Sequence, residues 1–446
     1  MKRWWALLLA ALLALPIGAP AEKAAAFPAA FRVKYQVKER EIRNGRCFVS
    51  KDQITAALPQ VSDEINALAN AFDEQLSPGM TPDPGKNPRR NSRLDIHIVH
   101  TVSGESCVSF LVLARESYQR KQKQSPFAAR VYDMESGRQV ALGDLFDPDS
   151  EAWDVLAEAV MEELSAYFPQ EEADPQKLKA LCAREALEQT PFMLGPVCLS
   201  LHYQASALYP DHPTLMRVTV PYAALRDMMT DYGRRQTDNQ NYNMVALTFD
   251  DGPSYTNTAV LLNNLRKAGA QATFFLVGDR VEEYPDIVMR ENDEIHSLQS
   301  HSYKHVKPTT TPVARLQEYT EKMNGILSSL VGTPPAMLRA PYGEFDPFIE
   351  AEVNLPLIHW GVDTKDWTGR SAAAVLKVIR EEAQDGSIIL MHDIEDNTPA
   401  TVREVTDWLY EHGFLCVTVE DLFLHNRQPF QPNQIYYRIN PNTDDF

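Results

Sequence analysis

Two adjacent carboxylates and two nearby imidazoles are the side chains in this sequence best suited to bind a metal ion and activate water. Asp250 and Asp251 follow the apolar run MVALTF and precede Gly252-Pro253. The run predicts a buried strand, and the glycine and proline predict a turn directly after it. Because adjacent side chains leave a strand in different directions, one aspartate can bind a metal while the other acts as a base. A turn that merely contains acidic residues is the ordinary alternative for Asp-Asp-Gly alone.

The imidazoles belong to His301 and His305 in the segment SHSYKH. This spacing places two side chains on the same side of a helical turn, and a tight loop can achieve the same arrangement. Two imidazoles and one carboxylate leave positions open for water, which is the composition of a catalytic zinc site. The histidine pair alone is a weak signal, and its combination with the two aspartates makes the metal site more specific.

Segments with the patterns of strands and helices alternate from Met244 to the last predicted strand, Leu415–Val419. This alternation predicts a parallel sheet wrapped by helices, either open or closed into a barrel. In such folds the reactive groups gather at the carboxyl ends of the strands. The chemically suggestive residues of this half all lie at or just after a predicted strand end, so the predicted elements bring them to one side of the sheet.

Five segments in this half, TFDDGP, HSYKH, RAPYG, VDTKDW and ILMH, occur in the order of a known motif set. Together they resemble the five motifs of the polysaccharide deacetylases, the NodB-homology domains of carbohydrate esterase family four. The resemblance covers Met244 to Leu424. It implies an α/β fold, the irregular (β/α) barrel of NodB type, which agrees with the alternation of strands and helices. It also implies a metal-dependent hydrolase that removes N-acetyl groups from a polysaccharide.

The resemblance implies a metal-binding set and a base. Asp251, His301 and His305 would hold Zn²⁺ or another divalent transition metal. Asp250 would be the general base that takes a proton from water. Arg339 would pair with Asp250 and keep it ionised and aimed.

The same resemblance implies roles for five further residues. The backbone N–H of Tyr342 would stabilise the oxyanion and contact the substrate. His392 would be the general acid that protonates the departing amine, and Asp366 would orient and charge it. Trp367 and Leu390 would line the slot for the acetyl methyl group.

The sequence departs from the family pattern just before His301. The family usually has Glu-Ile-Gly-Asn-His, whereas here Glu294-Ile295 is followed by HSLQS before His301. We interpret the three extra residues as an insertion in a surface loop, because loops tolerate insertions. The alternative is an altered metal site or a substrate contact, with His296 supplying a third imidazole nearby.

The remainder of the chain predicts further domains. Residues 1–21 have a basic start, an apolar run and an Ala-Pro-Ala cleavage signature, so they predict a signal peptide or membrane anchor. Residues 22–231 predict a smaller α+β domain with a mostly antiparallel sheet. The polar stretch 232–243 predicts a linker between this domain and the deacetylase-like domain over 244–425. A Pro- and Asn-rich tail, 426–446, predicts irregular structure.

The first domain resembles the small extracytoplasmic domain of some peptidoglycan deacetylases and of lysozyme-sensing anti-sigma factors. The resemblance rests on the predicted helix Pro59–Leu76, the segment YDMESGRQVALGDLF and the ending VTVPYAAL. It implies a domain that binds a wall polymer or a protein rather than one that performs chemistry.

The composition excludes some functions. A formal charge of −18 argues against nucleic-acid binding, which needs a basic face. None of the five cysteines has Cys-x-x-Cys spacing, so a cysteine zinc site is not expected.

From the motifs, the resemblance and the export signature, we predict an exported enzyme of the extracellular space or cell envelope that removes acetyl groups from peptidoglycan N-acetylglucosamine or N-acetylmuramic acid. Chitin, an exopolysaccharide or xylan remain as alternative substrates, and a non-catalytic glycan-binding protein remains as an alternative function.

Overall fold

A computed structural model describes residues 27–42, 47–80, 92–118, 121–122 and 126–439. The chain divides into two compact units, one formed by Pro28–Ala166 and Glu171–Asn239 and the other mainly by Gln240–Phe446. The signal peptide or anchor predicted over 1–21 lies outside the described residues. Within the described ranges, the helices are all too short or too polar to cross a bilayer.

The first unit is built on two sheets. The larger contains β1 (Lys34–Ile42), β2 (Cys47–Thr55), β3 (Ser92–Ser103), β4 (Cys107–Tyr118), β5 (Lys121–Gln122), β6 (Phe127–Asp133) and β7 (Gln139–Val140). Its order is β1-β2-β3-β4-β6-β7, with β5 paired to β4, and only the β2–β3 pair is parallel. The smaller sheet is antiparallel and contains β8 (Phe192–Leu194), β9 (Cys198–Gln204) and β10 (Leu215–Pro221).

The helices of the first unit complete its α+β character. They are α1 (Pro59–Leu76), α2 (Ala152–Ala166), α3 (Pro175–Leu181), α4 (Arg184–Gln189), α5 (Tyr222–Leu225) and α6 (Asp231–Gln236). The apolar spacing over Pro59–Leu76 predicted α1 with the bounds observed, and its Val61, Ile65 and Ala69 are buried. The Asn66 side chain fixes α1 to β2, since it accepts from the Ile54 N–H at 2.8 Å and donates to the Ile54 carbonyl at 2.9 Å.

The segment predicted as a linker, 232–243, is more ordered than a polar connection. It contains most of α6, which begins after Thr230, whose hydroxyl accepts from the Gly233 N–H at 3.0 Å. Gln236 and Asn239 are buried, and both side chains accept hydrogen bonds from backbone N–H groups of the first unit. The polar composition that suggested a linker therefore reflects side chains that bond to this unit, and the division between the units falls at 239/240.

The second unit is a parallel barrel. Its strands are β11 (Asn243–Asp250), β12 (Thr273–Leu276), β13 (Ser297–Ser300), β14 (Leu357–Ile358), β15 (Val362–Asp363), β16 (Ile388–His392), β17 (Phe414–Val417) and β18 (Ile435–Tyr436). The strands run in the order β13-β12-β11-β16-β15, all pairs being parallel, and β17 pairs with the first half of β11. Leu338 continues the sheet, because it bridges Ser300 on one side and Leu357 on the other.

Closure of the barrel depends on the short stretch from β14 to β15. Leu357 pairs with Leu338, and four residues later the Gly361 N–H donates to the Ile388 carbonyl at 3.0 Å. The segment from Leu357 to Gly361 therefore connects the β13 edge of the sheet to β16, and this connection closes the barrel. The irregular (β/α) barrel predicted from the sequence is confirmed.

Helices surround the barrel and cover its outer apolar face. They are α7 (Asn257–Ala268), α8 (Gly278–Glu283), α9 (Pro285–Asp293), α10 (Val313–Val331), α11 (Asp346–Glu350), α12 (Ala372–Glu382), α13 (Thr398–Glu411) and α14 (Val419–His425). Val245, Leu247 and Phe249 of β11 belong to the core beneath these helices. Because side chains alternate along a strand, Thr248 and Asp250 point to the other face, into the barrel.

The tail predicted as irregular over 426–446 contains a strand. Ile435–Tyr436 forms β18, which pairs in parallel with β14, and Ile439 is buried. A two-residue strand is too short to show a periodic pattern, and the surrounding proline and asparagine residues are typical of irregular structure, so the sequence did not predict this strand. Residues 440–446 lie outside the described part of the chain.

Candidate active site

Asp250 is the last residue of β11, and a buried arginine fixes its carboxylate. Arg339 is fully buried and its Nη1 donates to Asp250 Oδ1 at 2.7 Å and to Thr248 Oγ1 at 2.8 Å. Its Nε and Nη2 donate to the carbonyls of Ile358 and His359 at 3.1 and 3.0 Å. Four hydrogen bonds hold the guanidinium in one position, so the paired carboxylate has a fixed direction.

Asp251 lies at the turn after β11, and its side chain points in a different direction from that of Asp250. Its φ of 75° is left-handed and turns the chain away from the strand direction. The next residue must be small, since an added Cβ at Gly252 would lie 2.1 Å from Asp393 Oδ2. Thr258 donates to the same Asp393 carboxylate and accepts from the Ser254 N–H at 2.7 Å. The turn that carries Asp251 is therefore braced by the residue that follows β16.

His301 and His305 converge on Asp251 from the loop after β13. Their Nε2 atoms lie 3.4 and 3.3 Å from Asp251 Oδ1. One ligand atom from each of Asp251, His301 and His305 lies within 4.8 Å of the others. The structure thus brings together the three residues predicted to bind a metal, with His301 buried and the His305 side chain partly exposed.

The donor set fits a divalent cation. His301 Nδ1 lies 2.8 Å from the Arg339 carbonyl, which only accepts, so Nδ1 carries the proton and Nε2 presents its lone pair. That lone pair faces Asp251 Oδ1, a buried atom without a hydrogen-bond partner among the described residues. Two acceptors facing each other repel unless a cation lies between them, and two imidazoles with one carboxylate suit zinc and similar metals.

The charges in this cluster keep Asp251 ionised. Burial acts to raise the pKa of Asp251, but when the His301 and His305 rings are protonated, the hydrogen bond from His301 and the positive charge of both rings lower that pKa well below its usual range. Burial lowers the pKa of His305, which favours the neutral ring that a metal requires.

His392 ends β16, the strand next to β11, and lies beside Asp250 in register. Its Nδ1 lies 2.9 Å from Asp366 Oδ1, and its backbone N–H donates to Asp366 Oδ2 at 2.7 Å. Thr398 donates to the same Asp366 oxygen at 2.6 Å. Burial acts to lower the pKa of His392, but Asp366 and the carboxylates of Asp250 and Asp251 raise that pKa to about 9. His392 is therefore protonated at neutral pH and can donate a proton from Nε2.

The remaining predicted residues lie around these groups. Tyr342 has a φ of 60° within the turn Pro341–Gly343, and its ring lies 4.6 Å from the His305 ring. The Trp367 side chain is exposed, and its backbone N–H donates to Asp366 Oδ1 at 3.0 Å. Leu390 is buried two residues before His392 and so faces the barrel interior on the same side of β16.

The interpretation of the residues before His301 as a surface loop was wrong. Ser297–Ser300 forms β13, is mostly buried and pairs in parallel with β12. His296 is buried at the start of this strand, where its Nδ1 accepts from the Ala272 N–H at 3.2 Å. Because β13 separates His296 from His301 at its other end, His296 lies away from the metal-binding cluster. The sequence predicts a short strand over Glu294–Leu298, which overlaps only the first two residues of β13, because the run SLQS has little apolar character.

Three residues near the site make contacts that the sequence did not predict. Asp393 braces the Asp251 turn as described above. Glu344 accepts from the Thr309 N–H and hydroxyl at 3.1 and 2.7 Å, and so ties the segment after His305 to the one after Tyr342. Tyr437 of the tail packs against His359. Asp393 had a local signal, since it directly follows the predicted acid, whereas the other two contacts join segments that are distant in sequence.

Comparison with known proteins gives a consistent assignment for the second unit. Residues 237–355 match the family model described as polysaccharide deacetylase. The chain is 37% identical over 179 residues to the peptidoglycan-N-acetylglucosamine deacetylase PgdA of Listeria monocytogenes, covering 40% of this chain and 38% of that protein. It is 31% identical over 189 residues to the peptidoglycan-N-acetylmuramic acid deacetylase PdaC of Bacillus subtilis, covering 42% of this chain and 40% of that protein. A solved structure of the T48 deacetylase with substrate is 34% identical with a TM-score of 0.42, covering 45% of this chain and 99% of that one.

The second unit is a NodB-type (β/α) barrel with its polar cluster at the carboxyl ends of the strands. The chain belongs to the polysaccharide deacetylase family, carbohydrate esterase family four. It spans less than half of the length of the two peptidoglycan deacetylases to which it is similar.

Proposed function

We propose that this protein is an exported, metal-dependent deacetylase that removes N-acetyl groups from peptidoglycan and releases acetate. The observation that carries the proposal is the pairing of β11 with β16, which sets Asp250 and His392 side by side next to the Asp251, His301 and His305 cluster. In this arrangement a base and an acid would lie on neighbouring strands next to one metal-binding set, which supports catalysis of both proton transfers in amide hydrolysis.

Asp251, His301 and His305 would hold the metal ion, for which we propose Zn²⁺ because the ligands are two imidazoles and a carboxylate. When bound, the ion lowers the pKa of water toward neutrality and polarises the substrate carbonyl. The Arg339 carbonyl fixes the His301 ring, since the hydrogen bond to Nδ1 leaves Nε2 for the metal.

Asp250 and His392 move the two protons of the reaction. Asp250 takes a proton from the water that attacks the acetyl carbonyl carbon, while Arg339 holds the carboxylate in place. When the C–N bond breaks, His392 gives its proton to the amine nitrogen, and the acetyl group leaves as acetate. Each proton transfer contributes about 10²- to 10⁴-fold to the rate.

Three residues would complete the pocket around the acetyl group. The backbone N–H of Tyr342 would donate to the carbonyl oxygen as negative charge develops on it, and stabilisation of this kind often accelerates a reaction more than any other single effect. Trp367 and Leu390 would contact the acetyl methyl group, one from the exposed side and one from the buried side.

The substrate and location are proposed from the relatives and the sequence. Both reported relatives are named for action on peptidoglycan, one on N-acetylglucosamine and the other on N-acetylmuramic acid. The basic and apolar start of the chain supports export to the cell envelope, with cleavage or with retention as an anchor. The first unit would then bind a wall polymer or a protein and bring the barrel to its substrate.

The experiment that tests this function is incubation of the zinc-loaded protein with defined muropeptides and chitooligomers, read by mass spectrometry. We expect loss of one acetyl group per modified sugar, and much slower loss with Asp250→Asn, which preserves size and the Arg339 contact. Unchanged turnover in Asp250→Asn would refute the assigned base. Bound zinc without acetate release from any glycan would instead indicate a glycan-binding protein.

A further inference from the structure

Three aromatic side chains are exposed in the part of the chain whose burial is described. They are Tyr342, Trp367 and Tyr437, with 61%, 55% and 53% of their surface accessible. Tyr342 and Trp367 adjoin the catalytic groups. Tyr437 belongs to the tail, and neither the family motifs nor the proposed mechanism gives it a role. Exposing a large apolar ring is unfavourable, so an exposed ring close to a site marks a contact surface.

The backbone holds Tyr437 firmly. Its neighbour Tyr436 is in β18, and the Tyr436 carbonyl accepts from the His359 N–H at 2.7 Å. The Tyr437 carbonyl lies so close to Gly361 that an added Cβ there would be 2.9 Å from it. Tyr437 directly follows the paired strand β18, and a residue whose backbone is held in this way loses little backbone entropy when it binds a ligand.

Tyr437 is one part of a stacked group of rings. Its ring lies 4.5 Å from the His359 ring at an interplanar angle of 30°, and the His359 ring lies 3.9 Å from Trp360. The Trp360 backbone N–H donates to His359 Nδ1 at 2.8 Å, which fixes the imidazole between its neighbours. We call Tyr437, His359 and Trp360 the aromatic platform.

The aromatic platform is continuous with the active site. The His359 carbonyl accepts from Arg339, whose other nitrogen binds Asp250. The rings of the platform also lie close to Gly343, where an added Cβ would be 3.1 Å from His359 Nε2 and 3.2 Å from Trp360. Gly343 directly follows Tyr342, whose ring contacts His305. The platform therefore packs against Arg339, which holds Asp250, and against the turn that carries Tyr342.

We propose that the aromatic platform is a subsite for a sugar ring next to the one that is deacetylated. This inference rests on the proposed function, since it assigns the neighbouring pyranose of the same glycan to this surface. A pyranose presents a face of C–H groups that packs on an aromatic ring, while its hydroxyls remain at the edge and in water. Tyrosine supplies such a rigid, amphipathic surface at low entropic cost. The protein then prefers oligosaccharides over short substrates, and the C-terminal tail contributes to that preference.

The test compares the wild type, Tyr437→Ala and Tyr437→Phe on N-acetylglucosamine, which has no neighbouring sugar, and on its pentamer. We expect Tyr437→Ala to lower kcat/KM for the pentamer by about three- to tenfold, the scale of an aromatic contact, and to leave that for the monomer unchanged. Tyr437→Phe keeps the ring, so it should match the wild type on both substrates. An equal fall on monomer and pentamer would show a structural role for the tail and overturn the subsite, as would no fall on either.

A binding measurement separates this inference from the proposed function. If the wild type releases no acetate from any glycan, the proposed function fails. Calorimetric titration of the protein with the pentamer then tests the subsite independently of catalysis. Weaker binding of the pentamer to Tyr437→Ala than to Tyr437→Phe would support the aromatic platform. Equal binding, or no binding of the pentamer to the wild type, would overturn it.

Discussion

Asp250 and Asp251 are neighbours in sequence whose side chains point in different directions, and the backbone between them explains why we propose different tasks for them. Asp250 ends a regular strand and points into the barrel toward Arg339, whereas Asp251 has a left-handed φ and meets the two imidazoles. Sequence analysis could predict this division because strand geometry separates adjacent side chains. It could not predict Asp393, since the close approach to Gly252 depends on how β16 lies beside β11.

The pKa of His392 gives a prediction for the pH dependence of activity. His392 acts as an acid only when protonated, and Asp366 helps to raise its pKa to about 9 despite burial. We expect activity to fall as pH rises through that range. In Asp366→Asn the partner charge is lost, the pKa of His392 falls, and the alkaline limb of kcat/KM moves to lower pH.

The matched control is Asp363→Asn, which removes one negative charge from the same segment. Asp363 accepts from the Lys365 backbone N–H at 2.9 Å and so stabilises the turn that follows it. Its pH profile should resemble that of the wild type. If Asp366→Asn keeps the alkaline limb of the wild type, His392 is not the titrating acid.

Secondary structure elements position the site residues, and whether an element could be predicted depends on its length and on the strength of its apolar pattern. The helix Pro59–Leu76 and the strand ending at Asp250 have strong apolar patterns, and both are observed. The mostly polar β13 is predicted only in part, by a strand over Glu294–Leu298, and the strand predicted over Ala336–Arg339 is observed only as isolated bridges at Leu338. The tail strand β18 exists because β14 offers it a partner, which is a tertiary cause that local sequence does not carry.

Glu344 joins two segments that must stay together for the site to form. It binds Thr309, four residues after His305, and lies two residues after Tyr342. We expect Glu344→Ala to weaken zinc binding several-fold, because the His305 segment becomes more mobile, and to lower kcat as well. Zinc affinity is measured by competition with a chromogenic chelator, and kcat by acetate release.

A surface glutamate on α10 provides the control for this substitution. Glu318 is exposed and pairs with Arg315 one helical turn away. Glu318→Ala makes the same change in net charge without touching the site segments, so its zinc affinity and kcat should stay at wild-type values. Equal effects of the two variants would show that charge, and not the link between segments, is responsible.

The whole molecule carries a formal charge of −18, which shapes its encounter with charged polymers. Muropeptides carry carboxylates and chitooligomers do not, so repulsion should slow only the former. The Debye length falls from about 30 Å at 0.01 M salt to about 8 Å at 0.15 M. Added salt should therefore raise kcat/KM for muropeptides relative to chitooligomers of similar length. A ratio that falls with salt would indicate a basic groove that attracts the anionic substrate.

The central claim concerns one cation held by Asp251, His301 and His305, and anomalous diffraction at the zinc edge from zinc-loaded crystals tests it most directly. We predict a peak about 2.0–2.2 Å from Asp251 Oδ1 and from the Nε2 atoms of both histidines. Absence of a peak there, or a peak bound by other residues, would contradict the proposed metal site and the mechanism built on it.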